Sequence, residues 1–326
     1  MMKKKVTHHI KDIRSFIEFL KPDPFIFIQP HNFPDHDAVA SAFGLQALLN
    51  HYGVKSHIVY EKEIQRDSLK HVISDLGIQI HHIDTYDMQP HHKIILVDGC
   101  KGNANVTDLI GNEVGVIDHH QVKDPEDVEF CHIDPDCGAC ATLIANYFLE
   151  LEVEIPKNVA TAFMIGINMD TASLTRGVSL NDLKIFYHCF SLCDMDYVTS
   201  IVRNDILIED LKQFKFIINH LEYDRRLAFC YIPNGCSQNL LGILADFVLS
   251  LHEIEFVVLC TKNDNRIYFS VRSEEPEWDA ADIIRKSLEG IGFGGGHDDM
   301  AGGVIQDGSD FGKGDYLKKL KSLLLS

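Results

Sequence analysis

The sequence predicts an α/β protein whose N-terminal half contains a mostly parallel β-sheet. Three apolar runs, FIFI at 25–28, IILV at 94–97 and VGVI at 114–117, are typical of buried strands. Over roughly the first 190 residues, such runs alternate with polar loops and amphipathic helices, which favours strand–helix–strand units. Each run also leads directly into acidic or His-rich sequence, so the same pattern points to a functional edge of the sheet.

The length of 326 residues favours two domains, since domains of about 100 to 200 residues are common. We expect a first domain over 1–195 and a smaller α/β domain over 223–326. Residues 196–222 have an amphipathic pattern and are predicted to form a linker helix. In the second domain, the turn-forming residues 263–265 lie between two apolar runs and predict a β-hairpin.

The composition of the chain limits the kinds of partner that it is expected to bind. The formal net charge of -18 argues against a protein that coats long nucleic acid through a broad basic surface. A small anionic substrate is compatible with this charge, because bound metal ions can reverse the field locally. The chain shows neither the apolar run of a secretory signal nor that of a membrane span, and its nine scattered cysteines suit reduced thiols. We therefore expect a cytoplasmic protein without a membrane partner.

Histidine and aspartate side chains follow each of the three predicted strands. In open α/β sheets, ligands bind beyond the carboxyl ends of the strands, so these side chains are expected to share one crevice. A further carboxylate, Asp170, ends an apolar segment typical of a buried helix, where it needs a partner or a metal ion. The residues after the strands are His31, Asp35 and Asp37, then Asp98, then Asp118, His119 and His120.

The number of carboxylates in this crevice predicts metal ions. An isolated Asp-x-Asp pair more often caps a helix or is solvated, but four crowded carboxylates would repel one another unless cations were present. The positive charge of two divalent cations would balance the negative charge of the four carboxylates. Mixed His and carboxylate ligation suits Mn(II) best, with Mg(II), Co(II) or Fe(II) as alternatives. Such a pair of ions is suited to hydrolysis of a phosphate ester or anhydride. The four carboxylates are Asp35, Asp37, Asp98 and Asp170.

Five sequence motifs in order resemble those of the DHH phosphoesterase superfamily. They are HNFPDHDA, VDGC, IDHH and NMDTASLTRG, followed near the C-terminus by GFGGGHDDMAGG, which resembles the glycine-rich motif of the DHH-associated C-terminal domain. The resemblance covers nearly the whole chain. In length and layout it is nearest to bacterial oligoribonucleases (nanoRNases) that also dephosphorylate pAp, and it is more distant from RecJ and family II pyrophosphatases.

The resemblance implies two metal-ligand sets that share Asp98 as a bridging carboxylate. It further implies that metal-activated water is the nucleophile, that His120 faces the substrate phosphate, and that Asp118 orients its neighbours. Asp98, His119, His120 and Asp118 would then form the catalytic centre. The first ligand set is His31, Asp35 and Asp98, and the second is Asp37, Asp98, His119 and Asp170.

The resemblance also implies substrate contacts, with the active site in the cleft between the two domains. An Arg binds phosphate bidentately, and consecutive glycines allow the backbone to approach an anion. Thr142, in the segment DCGACATL, takes a position that would face a phosphate. The remaining predicted substrate-binding residues are Arg272, Gly294, Gly295, Gly296 and His297.

Four functions are compatible with these residues. The leading hypothesis is a Mn-dependent phosphoesterase for short RNA or DNA oligonucleotides, linear dinucleotides or pAp, without long duplex partners; a homodimer is left open. The alternatives within the superfamily are an inorganic pyrophosphatase or polyphosphatase, which needs a dense cationic pocket, and a RecJ-like exonuclease for longer single strands. A nucleotide-sensing protein with weak chemistry is the hypothesis from another class, and the intact motifs weigh against it.

Overall fold

The computed structural model describes residues 10–103, 105–203 and 206–324. The chain divides into two compact units, Met1–Asp205 and Ile206–Ser326. Among the described residues, no helix is long and apolar enough to cross a membrane. The first unit contains α1 (Ile13–Leu20), β1 (Ile26–Pro30), α2 (His36–His51), β2 (Ser56–Tyr60), α3 (Asp67–Asp75), β3 (Ile80–His82), β4 (Lys93–Val97), β5 (Asn112–Asp118), β6 (Phe130–Ile133), α4 (Cys140–Glu150), α5 (Lys157–Asp170), α6 (Leu180–Phe190) and α7 (Met195–Arg203).

The first unit is built on a six-stranded sheet in the order β3-β2-β1-β4-β5-β6. All five strand pairings are parallel, which confirms the predicted sheet type. The strand order reverses between β1 and β4, and this reversal is where doubly wound sheets open a crevice at the carboxyl ends of their strands. The three strands predicted from apolar runs are β1, β4 and β5, so the segments after them leave the sheet at or beside this crevice.

Close packing of α2 against α5 sets the geometry around the crevice. The backbone of Gly44 in α2 lies against the ring of Phe163 in α5, and a Cβ at Gly44 would come within 2.2 Å of that ring. Asp37 belongs to the first turn of α2, and Asp170 is the last residue of α5. The helix pair therefore delivers two of the predicted ligands from opposite helix ends.

The second unit has its own six-stranded sheet, in the order β11-β12-β10-β9-β8-β7, with only β8 and β9 parallel. The predicted hairpin at 263–265 is confirmed, since β9 and β10 pair around it and Asp264 takes a positive φ of 52°. The unit contains α8 (Leu211–His220), β7 (Glu222–Asp224), β8 (Leu227–Ile232), α9 (Gln238–Leu249), β9 (Phe256–Asn263), β10 (Arg266–Ser273), α10 (Ala280–Leu288), β11 (Phe293–Gly296), β12 (Met300–Ile305) and α11 (Lys313–Leu324).

The predicted linker helix over 196–222 is not one continuous helix. The described residues of this segment form all of α7 except its first residue and the whole of α8, with a short 3-10 turn at Ile208–Asp210 before α8. Leu207 breaks the helical path because its backbone is extended, with φ -90° and ψ 154°. The backbone N–H of Leu207 donates to Oδ2 of Asp210 at 2.9 Å, which stabilises this break. Residues 204 and 205 lie outside the described residues.

Candidate metal centre

The first ligand group consists of His31, Asp35 and Asp98, whose ligand atoms all lie within 4.8 Å of one another. Nε2 of His31 lies 3.8 Å from Oδ2 of Asp35 and 3.5 Å from Oδ2 of Asp98. The other ring nitrogen of His31 lies 2.8 Å from the carbonyl oxygen of Asn32, a contact that requires the proton on Nδ1. Asp35 caps α2, because its Oδ1 accepts from the N–H of Ala38 at 3.0 Å, and its Oδ2 faces the His31 ring.

The second ligand group consists of Asp37, His119 and Asp170. Nε2 of His119 lies 3.4 Å from Oδ2 of Asp170 and 3.4 Å from Oδ1 of Asp98. Nδ1 of His119 lies 3.1 Å from the carbonyl oxygen of Cys137. Both histidines therefore use Nδ1 to bond a backbone carbonyl, and both present Nε2 to carboxylates.

Asp98 joins the two groups, since its Oδ2 faces His31 and its Oδ1 faces His119. The residue is almost fully buried and follows β4 directly. Its φ of 53° is positive, which is uncommon outside glycine, while its N–H donates to the carbonyl of Ile117 at 2.9 Å. Strained backbone of this kind concentrates at functional sites. Here it turns one carboxylate between two sets of side chains.

Asp37 is held by the first turn of α4. Its Oδ2 accepts from the N–H of Cys140 at 2.7 Å and its Oδ1 accepts from the N–H of Ala141 at 2.9 Å. Burial and the charges of Asp170 and Asp98 raise the pKa of Asp37 well above its usual range, so the ionised group needs compensating positive charge. The sequence analysis did not predict these two donors. The sequence signal for them is the run of small residues before an apolar helix, and the structure adds that Asp37 is fully buried and needs such donors.

The distances and the donor chemistry of these six residues fit two divalent ions. The His-to-carboxylate separations of 3.4 to 3.8 Å are longer than a hydrogen bond. Three of the four separations, at 3.4 to 3.5 Å, match two ligands of one ion, which lie about 3 to 3.5 Å apart when each metal bond is about 2.1 Å, and the His31–Asp35 separation is slightly longer. The set offers nitrogen and oxygen ligands but no thiolate, a combination that suits Mn(II). Nearby Cys137 is buried, and burial raises the pKa of its thiol to about 12.

Asp118 and His120 lie beside the two ligand groups. Asp118 is fully buried at the end of β5, and its Oδ1 accepts from the N–H groups of His119 and His120 and from Nδ1 of His120 at 2.7 Å. Any contact of His120 with a substrate would therefore use Nε2. This geometry is compatible with the predicted roles of Asp118 as an orienting group and His120 as a phosphate contact, which stay predictions.

Comparison with known proteins identifies the family. The DHH family N-terminal domain matches residues 25–167, and the DHHA1 domain matches residues 224–324. The chain belongs to the DHH superfamily. The first match contains β1, β4 and β5 with the segments after them, so it includes every member of the two ligand groups except Asp170, which follows the matched residues.

Two relatives match different fractions of this chain. An uncharacterised protein of Methanocaldococcus jannaschii is 28% identical over 281 residues, covering 86% of this chain and 58% of its own length. A probable manganese-dependent inorganic pyrophosphatase of Lactococcus lactis is 27% identical over 155 residues, covering 46% of this chain and 49% of its own length. The matches thus span about half the length of these two relatives.

The fold is also similar to that of a solved structure. An exopolyphosphatase-related protein from Bacteroides fragilis superposes with a TM-score of 0.80 and 17% identity, covering 96% of this chain and 95% of that one. At this identity the similarity shows the fold alone. It extends over both units, each of which has a counterpart in the other protein.

In the DHHA1 domain, Arg272 lies in β10 and is largely buried. Its Nε donates to Oδ1 of Asp246 at 2.6 Å, and its Nη1 donates to the hydroxyl of Ser270 and the carbonyl of Val271. Asp246 belongs to α9. A substrate phosphate at Arg272 would therefore meet a guanidinium already oriented by a carboxylate.

The predicted glycine motif of the DHHA1 domain forms the edge strand β11 instead of a plain turn. A Cβ at Gly294 would lie 2.9 Å from Ile284 of α10, so this glycine allows the strand to pack on the helix. Gly296 has a φ of 143° and lies against Met300, whose carbonyl accepts from the N–H of His297 at 2.7 Å. Gly295 has no atom within 4 Å of an added Cβ. Of the three glycines, Gly295 is thus the most open to an anion.

Thr142 differs from its prediction as a phosphate contact. The residue lies in α4 and is fully buried. Its hydroxyl donates to Oδ1 of Asp182 at 2.6 Å. Since the hydroxyl proton is bound to a carboxylate within the core, the structure does not support a phosphate contact at Thr142.

Proposed function

We propose that this protein is a manganese-dependent two-metal phosphoesterase that hydrolyses short nucleotide substrates, either short oligonucleotides, linear dinucleotides or pAp. The observation that carries the proposal is Asp98, which directs one oxygen toward His31 and the other toward His119. A carboxylate placed in this way can bridge two ions. The similarity to the probable manganese-dependent pyrophosphatase of Lactococcus lactis supports the choice of metal.

Two bound divalent ions would supply an activated water and positive charge at the phosphate oxygens. The protein itself fixes the ligands, because the carbonyls of Asn32 and Cys137 hold the Nδ1 protons of His31 and His119 and leave Nε2 as the ligand atom.

His120 is the residue proposed to donate a hydrogen bond to the phosphate or a proton to the leaving oxygen. Burial lowers the pKa of His120, but the hydrogen bond to Asp118 and the charge of Asp98 raise it above its usual value. The ring is therefore more readily protonated near neutral pH than an exposed His. Asp118 fixes its orientation through the Nδ1 contact.

The proposed preference for nucleotides depends on the second unit. Arg272, His297 and the nearby Gly295 of the glycine motif that His297 follows are proposed to bind the substrate at a second phosphate or at its nucleoside part. The net charge of -18 favours a short substrate, since long nucleic acid is held mainly by neutralised phosphates. This combination supports substrates with few phosphates.

A pyrophosphatase or polyphosphatase is the second candidate, and the similarity to a probable manganese-dependent inorganic pyrophosphatase favours it. Such a substrate needs several cations that are available to it. In the second unit, Lys286 lies 2.6 Å from Asp282 and Lys313 lies 2.9 Å from Glu222, while Nε of Arg285 donates to the carbonyl of Ala281. Because these cations already have partners, we place this function second.

A substrate panel with Mn(II) tests the proposal. We would measure release of phosphate or nucleotide from pAp, pApA, RNA of two, five and twenty residues, single-stranded DNA, and pyrophosphate. We expect the highest kcat/KM for pAp, pApA or the two-residue RNA. A clear preference for pyrophosphate would overturn the nucleotide assignment, and processive digestion of long single strands would place the protein with RecJ-like exonucleases. Loss of all activity on metal removal, restored by Mn(II), is expected in every case.

We propose that the partner is a second copy of this chain, which would bind at the outer face of α6 to form a homodimer. Leu180 and Tyr187 are 86% and 84% exposed, and Leu183 and Phe190 on the same face are also exposed. In an antiparallel two-fold pairing, Leu180 would meet Phe190 and Leu183 would meet Tyr187, so the face is self-complementary. Together, these four side chains would bury on the order of half of the roughly 800 Å² of surface that each partner buries in a standard interface.

Light scattering across a range of protein concentrations tests this dimer. We expect a dimer mass for the wild type and a monomer mass for Tyr187→Glu, with His188→Glu on the same helix as the charge-matched control. A monomer at all concentrations, or a dimer that Tyr187→Glu leaves intact, would contradict the α6 interface.

A further inference from the structure

We propose that Asp182 is a positioning residue for one half of the metal centre. It holds the segment Cys137–Ala141, hereafter the 137–141 loop, and this loop in turn holds the ligand group of Asp37, His119 and Asp170. The inference rests on the proposed two-metal function and adds an asymmetry to it. Asp182 would govern the second ion and leave the first largely unaffected.

Asp182 is a fully buried carboxylate at the start of α6. It forms a capping box with Ser179, whose N–H and hydroxyl both donate to Oδ2 of Asp182 at 2.7 and 2.6 Å. A capping box requires only these local contacts. The remaining contacts of the carboxylate reach about 40 residues back along the chain and have no role in capping the helix.

These remaining contacts all end on or next to the 137–141 loop. The N–H of Gly138 donates to Oδ2 of Asp182 at 2.9 Å, and the hydroxyl of Thr142 donates to Oδ1 at 2.6 Å. Sγ of Cys137 lies 3.6 Å from the same Oδ1. A single buried carboxylate thus fixes the loop near its beginning and just after its end.

The 137–141 loop carries the outer contacts of two ligands. The carbonyl of Cys137 bonds Nδ1 of His119, and the N–H groups of Cys140 and Ala141 bond both oxygens of Asp37. Outer contacts of this kind orient ligands, and their loss commonly costs 10- to 100-fold in metal affinity. A displacement of the loop would therefore reach both ligands together.

The third ligand of the group is linked to the same place. A Cβ at Gly138 would lie 2.8 Å from Oδ2 of Asp182, 2.8 Å from Cγ2 of Thr171 and 2.6 Å from the carbonyl oxygen of Gly177. Thr171 directly follows the ligand Asp170. The chain segment after Asp170 therefore packs on the loop at the point where Asp182 holds it.

Within the described part of the chain, the first ligand group shows no such dependence on Asp182 or on the 137–141 loop. Nδ1 of His31 bonds the carbonyl of Asn32, and Asp35 accepts from the N–H of Ala38, so both ligands are oriented by their own sequence neighbours. Asp98 belongs to both groups but is placed by its backbone bond to Ile117. This difference between the groups is what makes the inference testable.

The test is a titration of the metal-free protein with Mn(II), in which isothermal calorimetry and electron paramagnetic resonance detect the binding. We expect two sites in the wild type. In Asp182→Asn, one site should weaken about 10- to 100-fold while the other keeps its affinity, and the spin-coupled signal of paired ions should be lost at limiting Mn(II).

Two further variants separate positioning from folding. Ser179→Ala removes the capping hydroxyl from the same carboxylate, so it should lower the Tm but leave both Mn(II) affinities unchanged. Gly138→Ala keeps the carboxylate and displaces the loop, so it should reproduce the loss of one site. It also serves as the test if Asp182→Asn does not fold.

The possible results distinguish this inference from the proposed function. If the wild type binds two ions and both Asp182→Asn and Gly138→Ala retain both at wild-type affinity, Asp182 has only a structural role and the inference is overturned. Equal weakening of both sites would also overturn it, because the asymmetry would be absent. If the wild type binds fewer than two ions, the two-metal function itself is wrong.

Discussion

The backbone of Gly166 in α5 lies directly against Asp37 in α2. A Cβ at Gly166 would come within 2.9 Å of Oδ1 and 3.1 Å of Cα of Asp37. The predicted ligand therefore depends on a neighbouring helix that has no side chain at this position. The contact links the packing of two core helices to the geometry of the metal centre.

Gly166→Ala is expected to weaken Mn(II) binding and to destabilise the fold. An added methyl in this packed core costs about 1–3 kcal/mol, and here it would also displace Asp37 from the N–H groups of α4. Calorimetric Mn(II) titration and the Tm measure the two effects. Gly314→Ala is the control, because its Cβ meets no atom within 4 Å and alanine favours the helix. Unchanged Mn(II) affinity in Gly166→Ala would contradict this account.

Asp98→Asn is expected to abolish turnover on every substrate. Removing one partner from a buried charged cluster costs about 3–5 kcal/mol, which corresponds to about 10²- to 10⁴-fold in rate. Steady-state assays with Mn(II) on pAp and two-residue RNA measure the effect. The control is Asp84→Asn, which changes a carboxylate that is 87% exposed. Substantial remaining activity in Asp98→Asn would show that Asp98 is not a bridging ligand.

Arg272→Ala is expected to raise KM for nucleotide substrates about tenfold or more with a smaller change in kcat, since a charged hydrogen bond contributes about 1.5–3 kcal/mol. Asp246→Asn is the matched variant, because it removes the ion-pair partner while the guanidinium stays. If Arg272 were only structural, both variants would lower the Tm and neither would change KM. Kinetics and thermal unfolding of both proteins decide between these roles.

Binding of Mn(II) is expected to release protons and to strengthen as pH rises. Burial lowers the pKa of His31 and of His119, but the adjacent carboxylates outweigh it and raise both well above the usual 6.5. In the metal-free protein these rings are therefore protonated at neutral pH, and a metal ion must displace the protons. Calorimetry in buffers with different ionisation enthalpies measures the release. Binding enthalpies that do not vary with the buffer would contradict it.

The same pKa shifts predict how the metal-free protein responds to pH. Because the folded pKa values of His31 and His119 are raised, their contribution to stability is fully present below the unfolded value of about 6.5 and is lost as pH rises through the folded values. We expect the Tm of the metal-free protein to fall on the alkaline side, and the Tm of the Mn(II)-loaded protein to be less affected. Parallel pH–Tm curves for the two forms would contradict the expectation.

The sequence predicted much of the N-terminal sheet because local patterns determine it. Runs of buried apolar residues marked β1, β4 and β5, and the residues after them reached the same edge of the sheet. The hairpin at 263–265 was equally local. In both cases the relevant information lies within a few neighbouring positions.

The remaining differences arise from contacts between distant residues. Nothing near Thr142 in sequence reveals that its hydroxyl bonds Asp182, 40 positions away. Likewise, Gly294 looks suited to a turn, but its contact with Ile284 of α10 makes it part of a strand. The helix break at Leu207 is a local exception, since the N–H of Leu207 donates to the side chain of Asp210, a contact that an amphipathic pattern does not indicate.

The placement of the ligands along the chain has a consequence for how the protein is made. They extend from His31 to Asp170 and come from segments on or next to β1, α2, β4, β5 and α5. During synthesis, the ribosome must therefore release α5 before both ligand groups are complete. A zinc finger can fold around its ion within a short segment, but these ions could enter only a sheet that has already formed. Metal loading would then act as a late check that the whole first unit has folded correctly.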